Sequence, residues 1–450
     1  MSRISPAKSA LKPWQRSVYG LPYLGYSIAT LPVVAFIPAF YSSERGLSLA
    51  AVGLIIALTR VFDAITDPMV GWVSDRLKTP IGRRKPVILL GLPLLCLSAW
   101  MLFVPPEGAS LSYVFIWAFL LYLGFTLVDL PFKAFGAELS PYYDERADLA
   151  GWREGLGLAG TMLGLMAAAY VSLSMGGGLG DQLFAMAVIA IIATPILFSI
   201  TLGLLREPPV FDDPTQDRTA FAKMRLIWRN GAFRSLLFIS FILLATEFGA
   251  SALKALVLEH VFLNAEIFPV LLLCELVAMV ASIPLWLYFS RRYSKHQVLT
   301  VAVLWGGSIS LLIPFVGGSS LTVFFILAVL KATSIGAVTV LTNGIAADVI
   351  DIDAARTGET RTGVYFALWG MVNKGAVGVG ILMATNLPAL MGYQVTGANV
   401  EGARTLLWTF GLMPAIGFLM VAPVFWSWPL TRERQARIRG AMERRAARNA

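Results

Sequence analysis

Twelve long runs of apolar residues, separated by short polar segments, make up most of the chain. Each run is about twenty residues long or longer, which is the length that an α-helix needs to cross the hydrocarbon core of a bilayer. The pattern therefore predicts an all-α membrane protein with twelve transmembrane helices. The predicted spans cover residues 17–41, 48–72, 86–104, 111–135, 153–174, 182–205, 233–258, 266–290, 297–316, 321–346, 361–390 and 404–428.

The polar segment between the sixth and seventh runs is the longest interruption, and it divides the helices into two sets of six. We expect an N-terminal six-helix bundle at residues 1–205, a cytoplasmic linker at 206–232, a C-terminal six-helix bundle at 233–428 and a basic cytoplasmic tail at 429–450. A short repeat supports two related halves: Ala137-Glu138-Leu139 with Arg146 recurs 210 residues later as Ala347-Asp348-Val349 with Arg356. Such repeats are typical of secondary transporters.

The composition excludes a water-soluble protein, because 57% of the residues are hydrophobic and only 14% are charged, against about a quarter charged in soluble domains. The net charge of +9 suggests nucleic acid, but 29 of the 36 lysines and arginines lie in the termini and in segments on the same side of the predicted spans. This asymmetry predicts a multi-pass protein of the plasma (inner) membrane with both termini in the cytoplasm. It also removes the reason to expect a nucleic-acid partner.

Charged residues inside the spans are the candidates for function, because each costs about 2.5 to 3.5 kcal/mol on insertion scales. Asp63 and Asp67 lie on one face of the second span, about one turn apart. Their mutual repulsion is relieved by a bound proton or metal cation, and Thr66 and Thr126 are candidate oxygen ligands for sodium. A structural ion pair between one of these aspartates and Arg60 is the alternative.

The fourth span carries Asp129 and Lys133 at the same spacing. They are consistent with a structural salt bridge or with a substrate site, in which Asp129 accepts hydrogen bonds from hydroxyls and Lys133 and Arg153 bind an anionic group. Lys374 in the eleventh span is expected to join this group, or to balance the charge of an aspartate in the second span.

Two further charged residues, Glu247 and Lys254, lie seven residues apart on one face of the seventh span. We interpret them as a structural ion pair. Glu275 and Lys331 are expected near helix ends, where long side chains reach the membrane interface.

The stretch Asp63-Ala64-Ile65-Thr66-Asp67-Pro68-Met69-Val70-Gly71-Trp72-Val73-Ser74-Asp75 resembles the second-helix signature of the glycoside–pentoside–hexuronide:cation symporters. This family is the melibiose-permease branch of the major facilitator superfamily. Three more blocks match it in order and spacing: Gly82-Arg83-Arg84-Lys85-Pro86, then Leu130-Pro131-Phe132-Lys133-Ala134-Phe135-Gly136-Ala137-Glu138-Leu139, then Ala347-Asp348-Val349-Ile350-Asp351 leading to Lys374. The resemblance covers essentially the whole chain.

The resemblance implies the major facilitator fold, with two six-helix halves around a cavity that opens alternately to each side. It places the coupling cation at Asp63, Asp67 and Thr126, and substrate contacts at Asp129 and Arg153, with Lys374 in the same polar cluster. It also implies a close helix approach at Gly71 and cytoplasmic gate contacts through Asp75 and the arginines. The expected gate residues are Gly71, Asp75, Arg83, Arg84, Glu138, Arg146, Asp348 and Arg356.

Three positions depart from the family pattern. Ser27 stands where the melibiose carriers have a sugar-binding carboxylate in the first helix, and Lys133 replaces an aromatic residue that stacks on the sugar ring. Thr66 replaces an asparagine that helps to bind sodium. These changes favour an anionic or amphipathic solute, such as a hexuronide, an acidic glycoside or a lipid-like phosphate, and leave Na⁺ and H⁺ both open as the coupling ion.

The predicted function is therefore cation-coupled symport of a sugar, glycoside or hexuronide, with a lysolipid or other amphipathic anion as the alternative solute. We expect no enzymatic activity and no cofactor besides the ion, a small-molecule solute and membrane lipid as partners, and a monomer. A membrane prenyltransferase is the alternative from another class, since Asp63-x3-Asp67 and Asp348-x2-Asp351-x-Asp353 look like aspartate pairs that hold magnesium. That reading fits poorly, because the first pair lies within a span and the second in a loop.

Overall fold

The structure, a computed structural model, describes residues 11–140, 142–207, 230–357, 362–391 and 400–428. Within these ranges, twelve helical segments are long and apolar enough to cross a membrane, and no strand occurs. The prediction of an all-α protein with twelve spans is confirmed. The chain divides into two compact units, Met1–Phe211 and Asp212–Ala450.

The first unit contains the first six spans. Its helices of eight residues or more are α1 (Pro13–Gly20), α2 (Pro22–Ala35), α3 (Leu49–Arg76), α4 (Lys85–Phe103), α5 (Leu111–Leu139), α6 (Tyr143–Met175) and α7 (Leu179–Leu204). Helices α1 and α2 together form the first span. Close helix contacts depend on glycines: a Cβ atom on Gly160 of α6 would lie 2.2 Å from the carbonyl oxygen of Leu24 in α2.

The second unit contains the other six spans. Its helices are α8 (Gly231–His260), α9 (Phe268–Arg292), α10 (Lys295–Val316), α11 (Leu321–Thr357), α12 (Thr362–Leu390) and α13 (Val400–Trp426). Its core joins α8, α12 and α13 through large buried residues, among them Phe233, Tyr365 and Phe425. The Phe233 and Tyr365 rings meet edge to face at 4.5 Å between centroids.

Helix starts follow local sequence signals. The side chains of Ser48, Ser110 and Asn230 accept hydrogen bonds from backbone N–H groups three residues later, at the starts of α3, α5 and α8. These N-caps satisfy donors that the first turn of a helix leaves without an intrahelical partner.

Two helices extend further than hydrophobicity alone predicts. Helix α6 begins at Tyr143, ten residues before the expected start, and α11 continues to Thr357. The added turns are polar, and two of their carboxylates form ion pairs: Glu145 bonds Arg16 at 3.1 Å and Asp348 bonds Lys295 at 2.8 Å. Most of the expected linker and all of the basic tail lie outside the described residues.

Candidate functional site

Two aspartates of α3 meet one threonine of α5. The hydroxyl oxygen of Thr126 lies 2.6 Å from Oδ1 of Asp63 and 3.0 Å from Oδ1 of Asp67. Asp63 and Thr126 are buried, at 4% and 3% exposure. The close approach of α3 and α5 continues at Gly71, where a Cβ atom would lie 3.4 Å from the Leu130 side chain. The sequence-predicted group Asp63, Asp67 and Thr126 is therefore assembled within the first unit.

This arrangement is suited to binding a cation. A threonine hydroxyl carries one hydrogen and can donate it fully to only one carboxylate at a time. The second short contact between oxygens is relieved when a proton sits on the other carboxylate, or when a cation is shared by the three oxygens.

Arg60 and Thr66, on the same helix as the two aspartates, make different contacts. Arg60 Nη1 lies 3.7 Å from Oδ2 of Asp63, which is longer than a direct hydrogen bond, and its guanidinium group stacks 4.1 Å over the Tyr122 ring. The alternative Arg60 ion pair is thus present, but it leaves the Thr126 contacts in place. The Thr66 hydroxyl donates to the backbone carbonyl of Asp63 at 3.3 Å.

A second polar group surrounds Asp129, three residues beyond Thr126 on α5. Lys133 Nζ lies 2.7 Å from Oδ2 of Asp129, and the Tyr23 hydroxyl donates a hydrogen bond to Oδ1. The guanidinium group of Arg153 lies 5.5 Å from the centre of the Tyr23 ring and forms an ion pair with Glu154 at 2.7 Å. Asp129, Lys133 and Arg153 are therefore brought together around Tyr23.

Ser27 lies on the same side of α2 as Tyr23. A Cβ atom on Gly157 would lie 3.0 Å from the Ser27 hydroxyl oxygen and 3.5 Å from Cδ1 of Tyr23, and Gly157 is one turn beyond Arg153. Tyr23 itself was missed by sequence reasoning, although its spacing from Tyr19 and Tyr26 marks an aromatic stripe on the first span. Lys374 lies on α12 of the second unit, so its grouping with Asp129 stays a prediction.

Four of the expected gate residues of the first unit form one ion-pair cluster at the start of α4: Asp75, Arg83, Arg84 and Glu138. Nη2 of Arg84 lies 2.8 Å from Glu138 and 2.5 Å from Asp75, and Arg83 lies 2.8 Å from the same Glu138 oxygen. Arg84 is only 6% exposed. Burial alone lowers its pKa, but its hydrogen bonds and charge interactions with Glu138 outweigh burial and hold the pKa above the ordinary value.

Glu207, which the sequence placed in the linker, belongs to this cluster. Its carboxylate accepts hydrogen bonds from the backbone N–H groups of Arg83 at 2.9 Å and Arg84 at 3.0 Å, which stabilises the positive end of α4. The same two segments are also joined by Lys85, whose Nζ donates hydrogen bonds to the Leu202 and Leu205 carbonyls beside the end of α7. No sequence pattern marks Glu207 beyond its position just after a span.

The equivalent position in the second unit is built differently. Nζ of Lys295, at the start of α10, contacts both oxygens of Asp348 at 2.8 and 2.9 Å. Lys295 and Asp348 follow Lys85 and Glu138 by 210 residues each. Arg146 donates to the backbone carbonyl of Ser140 at 2.8 Å, and the side chain of Arg356 lies outside the described residues.

The predicted pair of Glu247 with Lys254 is wrong. Lys254 forms an ion pair with Glu275 of α9, whereas Glu247 pairs with Lys331 of α11 at 2.7 Å. Residues seven apart share a helix face but lie about 10 Å apart along the axis, so partners on neighbouring helices are closer. Lys254 and Lys331 are each 3% exposed, which also contradicts the expectation that Lys331 reaches the interface.

Twelve spans in two units, with a cluster of polar groups inside the first, define a membrane transporter of the major facilitator type. The chain matches the MFS/sugar transport protein family over residues 18–432 and belongs to this family. It is 26% identical over 436 residues to the glucuronide carrier protein homolog of Escherichia coli (strain K12), which covers 93% of each chain. It is therefore a multi-pass membrane transporter, not an enzyme.

Two further comparisons agree with this assignment. The chain is 23% identical over 475 residues to the sodium-dependent lysophosphatidylcholine symporter 1-A of Danio rerio, covering 95% of this chain and 88% of the relative. The crystal structure of a D-xylose-proton symporter superimposes with a TM-score of 0.68 at 13% identity, covering 92% of this chain and 97% of that chain. The second similarity shows the fold alone.

Proposed function

We propose that this protein couples the uptake of a hexuronide or a related acidic glycoside to the entry of Na⁺ or H⁺. The observation that carries the proposal is the hydroxyl of Thr126 held between the carboxylates of Asp63 and Asp67. Two carboxylates around one hydroxyl, one of them buried and the other half-buried, are most stable when a cation or proton occupies the site. The glucuronide relative favours this solute class.

The solute site lies around Asp129 and Tyr23. Asp129 accepts hydrogen bonds from solute hydroxyls, and the Tyr23 ring offers an apolar surface to a sugar ring. Arg153 and Lys133 bind the anionic group, since a guanidinium group matches a carboxylate with two hydrogen bonds. We place Ser27 and Lys374 in the same site.

Coupling follows from the position of the two groups on α5. Thr126 and Asp129 are three residues apart, so the ligands of the cation and of the solute share one turn of one helix. A shift of α5 that tightens either site changes the other, and each ligand favours the same conformation of the first unit. Both sites must then be filled, or both empty, for the transporter to reorient.

The remaining assignments complete the proposal. The gate residues are Gly71, Asp75, Arg83, Arg84, Glu138, Arg146, Asp348 and Arg356. Residues 1–205 and 233–428 form the two bundles, joined by a cytoplasmic linker at 206–232 and followed by a basic tail at 429–450. The protein lies in the plasma (inner) membrane as a monomer, with both termini in the cytoplasm.

Uptake into proteoliposomes tests the coupling. Radiolabelled methyl β-D-glucuronide is offered with an inward Na⁺ gradient, with an inward proton gradient, or with neither, and radiolabelled lysophosphatidylcholine is offered in parallel. We expect accumulation of the glucuronide with one gradient and loss of accumulation in Asp63→Asn and Asp67→Asn. Asp148→Asn is the matched control, because Asp148 is exposed and forms its ion pair with Arg16, away from the two aspartates.

Two results would contradict the proposal. Glucuronide uptake that ignores both gradients, or that persists unchanged in both aspartate variants, removes the coupling site. Uptake of the lysolipid without the glucuronide replaces the solute class and leaves the coupling site standing.

A further inference from the structure

The second unit has an apolar groove of about 920 Å³ that none of the assignments above uses. Helices α9, α10 and α11 form its walls, and Trp426 at the end of α13 completes the lining. Leu285, Val301 and Trp426 are each more than half exposed, so the groove opens to the outside of the protein. A concave apolar surface of this size is the usual form of a ligand site.

The polar atoms at the floor of the groove are already used within the protein. The Ser282 hydroxyl and Nε1 of Trp286 lie 2.9 and 2.8 Å from the carbonyl oxygen of Thr333. Nε1 of Trp305 donates to the Thr333 hydroxyl at 3.2 Å. A ligand seated here therefore meets apolar surface, and a hydrocarbon chain fits it because such a chain needs no hydrogen bond.

The groove extends from a helix end into the depth of the bilayer. Trp305 follows Gln297 by eight residues on α10, which is about 12 Å along the helix axis. One leaflet contributes half of the ~30 Å hydrocarbon core, so this length covers most of a leaflet. Tyr293 and Trp426 lie at the ends of α9 and α13, and tyrosine and tryptophan concentrate at the membrane interface. The mouth of the groove is therefore at the membrane surface.

Basic residues stand at this mouth. Arg291 and Arg292 end α9, and both are exposed. Arg292 follows Phe289, a residue of the groove lining, by three positions, so it extends the same face of α9. Lys295, the next basic residue along the chain, is paired with Asp348. Arg292 is thus the base that continues the apolar wall into the interface.

The groove and the arginine together select an amphipathic anion. A free phosphate would use the arginine and leave the apolar groove empty, whereas an alkane would use the groove without the arginine. A guanidinium group binds a phosphate through two hydrogen bonds, and basic residues beside a span attract anionic lipids. The tail of the protein is a poor occupant, because the arginines from Arg432 to Arg448 carry the same charge as the mouth.

We propose that this groove binds one anionic phospholipid of the membrane. An acyl chain lies along Val301 and Trp305, and the phosphate group meets Arg292 and the side-chain amide of Gln297. The lipid is a bound partner of the second unit and not a transported solute, so the proposal does not depend on the solute class.

Native mass spectrometry of the full-length protein in detergent tests the site, because it resolves each bound lipid and gives its dissociation constant. The delipidated protein is titrated with dioleoyl phosphatidylglycerol, which is anionic, and with dioleoyl phosphatidylcholine, which has the same chains and no net charge. Arg292→Gln removes the charge at the mouth, and Val301→Trp fills the groove. The matched controls are Arg234→Gln, an exposed arginine near the start of α8, and Leu312→Trp, an exposed residue of α10 about three turns beyond Val301.

The original protein should bind one phosphatidylglycerol about fivefold more tightly than phosphatidylcholine. Arg292→Gln should remove this preference and leave the affinity for phosphatidylcholine unchanged. Val301→Trp should weaken both lipids about tenfold, because the groove can no longer hold a chain. The two controls should bind like the original protein. Size-exclusion elution and melting temperature establish that each variant is folded, and Val301→Phe replaces Val301→Trp if the larger side chain prevents folding.

Three results would overturn the site. Equal affinity of the original protein for the two lipids, or a preference that persists in folded Arg292→Gln, removes the recognition of the headgroup. A loss of affinity in Val301→Trp no larger than that in Leu312→Trp removes the groove. A lipid-free dimer that disappears in Val301→Trp assigns the groove to a second copy of the chain instead.

Discussion

Replacing Thr126 by valine removes a hydroxyl that contacts both aspartates of the proposed cation site. Valine has nearly the shape of threonine, so α5 keeps its packing while the contacts of 2.6 and 3.0 Å disappear. A hydrogen bond to a charged group is worth about 1.5 to 3 kcal/mol. Since 1.4 kcal/mol is a factor of ten in affinity, Na⁺ binding should weaken by about ten- to a hundredfold.

The direction of the effect separates the two coupling ions. Na⁺ loses an oxygen ligand and binds more weakly, so half-maximal uptake moves to higher Na⁺ concentration. A proton binds more tightly, because the charged carboxylate loses a hydrogen bond that stabilised it. Proton-driven uptake should then reach its half-maximum at a higher pH. Glucuronide uptake measured against Na⁺ concentration and against pH gives both answers.

Two variants control for packing. Thr126→Ser keeps a hydroxyl and should restore most of the original ion dependence. Thr59→Val removes a hydroxyl that is equally buried on α3 but donates only to the carbonyl of Ile56 at 2.7 Å, and it should change nothing. Unaltered Na⁺ and pH dependence in a folded Thr126→Val protein would refute the assignment of this hydroxyl to the coupling site.

Three further predictions concern stability and gating. Glu207→Gln should lower the melting temperature through a loss of about 1 kcal/mol, because the negative charge at the start of α4 is removed; an unchanged melting temperature contradicts the capping role. Lys331→Met alone should lower the free energy of unfolding by about 3 kcal/mol, because Glu247 is left without its partner. The double variant Lys331→Met with Glu247→Gln should recover most of this loss. Equal melting temperatures for the single and the double variant contradict this prediction. Arg84→Lys should loosen the contact of α4 with α5, because lysine cannot bridge Glu138 and Asp75 as a fork; faster proteolysis at the segment joining α3 and α4 is the expected result, and unchanged digestion opposes it.

The twelve spans could be predicted because hydrophobicity decides directly whether a segment enters the bilayer. The polar ends of the helices could not be predicted from hydrophobicity. The extension of α6 to Tyr143 depends on Arg16, which lies on α1 and bonds Glu145 at 3.1 Å. A hydropathy pattern contains no information on such pairing between distant segments.

Within the candidate sites, the sequence predicts partners well where one helix presents them and poorly where two helices meet. Asp63 and Asp67 share a face by their spacing alone, but the Tyr23 hydroxyl reaches Asp129 because α2 packs beside α5. The same limit explains the wrong pairing of Glu247. Its spacing from Lys254 shows a common face, while the rotation of α8 and the position of α11 decide that Lys331 is the partner.

The repeat between the halves preserves the acidic residue of the proposed gate, but the basic residue that pairs with it differs between the halves. Glu138 and Asp348 stand 210 residues apart, and each pairs with a base at the start of the helix that precedes its own in the sequence. In the second unit, Lys295 fills this role and Gln297 accepts the backbone N–H of Ser294 at 3.3 Å. In the first unit, Glu207 accepts hydrogen bonds from the backbone N–H groups of Arg83 and Arg84. Lys85 instead donates hydrogen bonds to the Leu202 and Leu205 carbonyls beside the end of α7. The carboxylate therefore occupies the same sequence position in both halves. Which basic residue forms an ion pair with it depends on how the start of the preceding helix is capped.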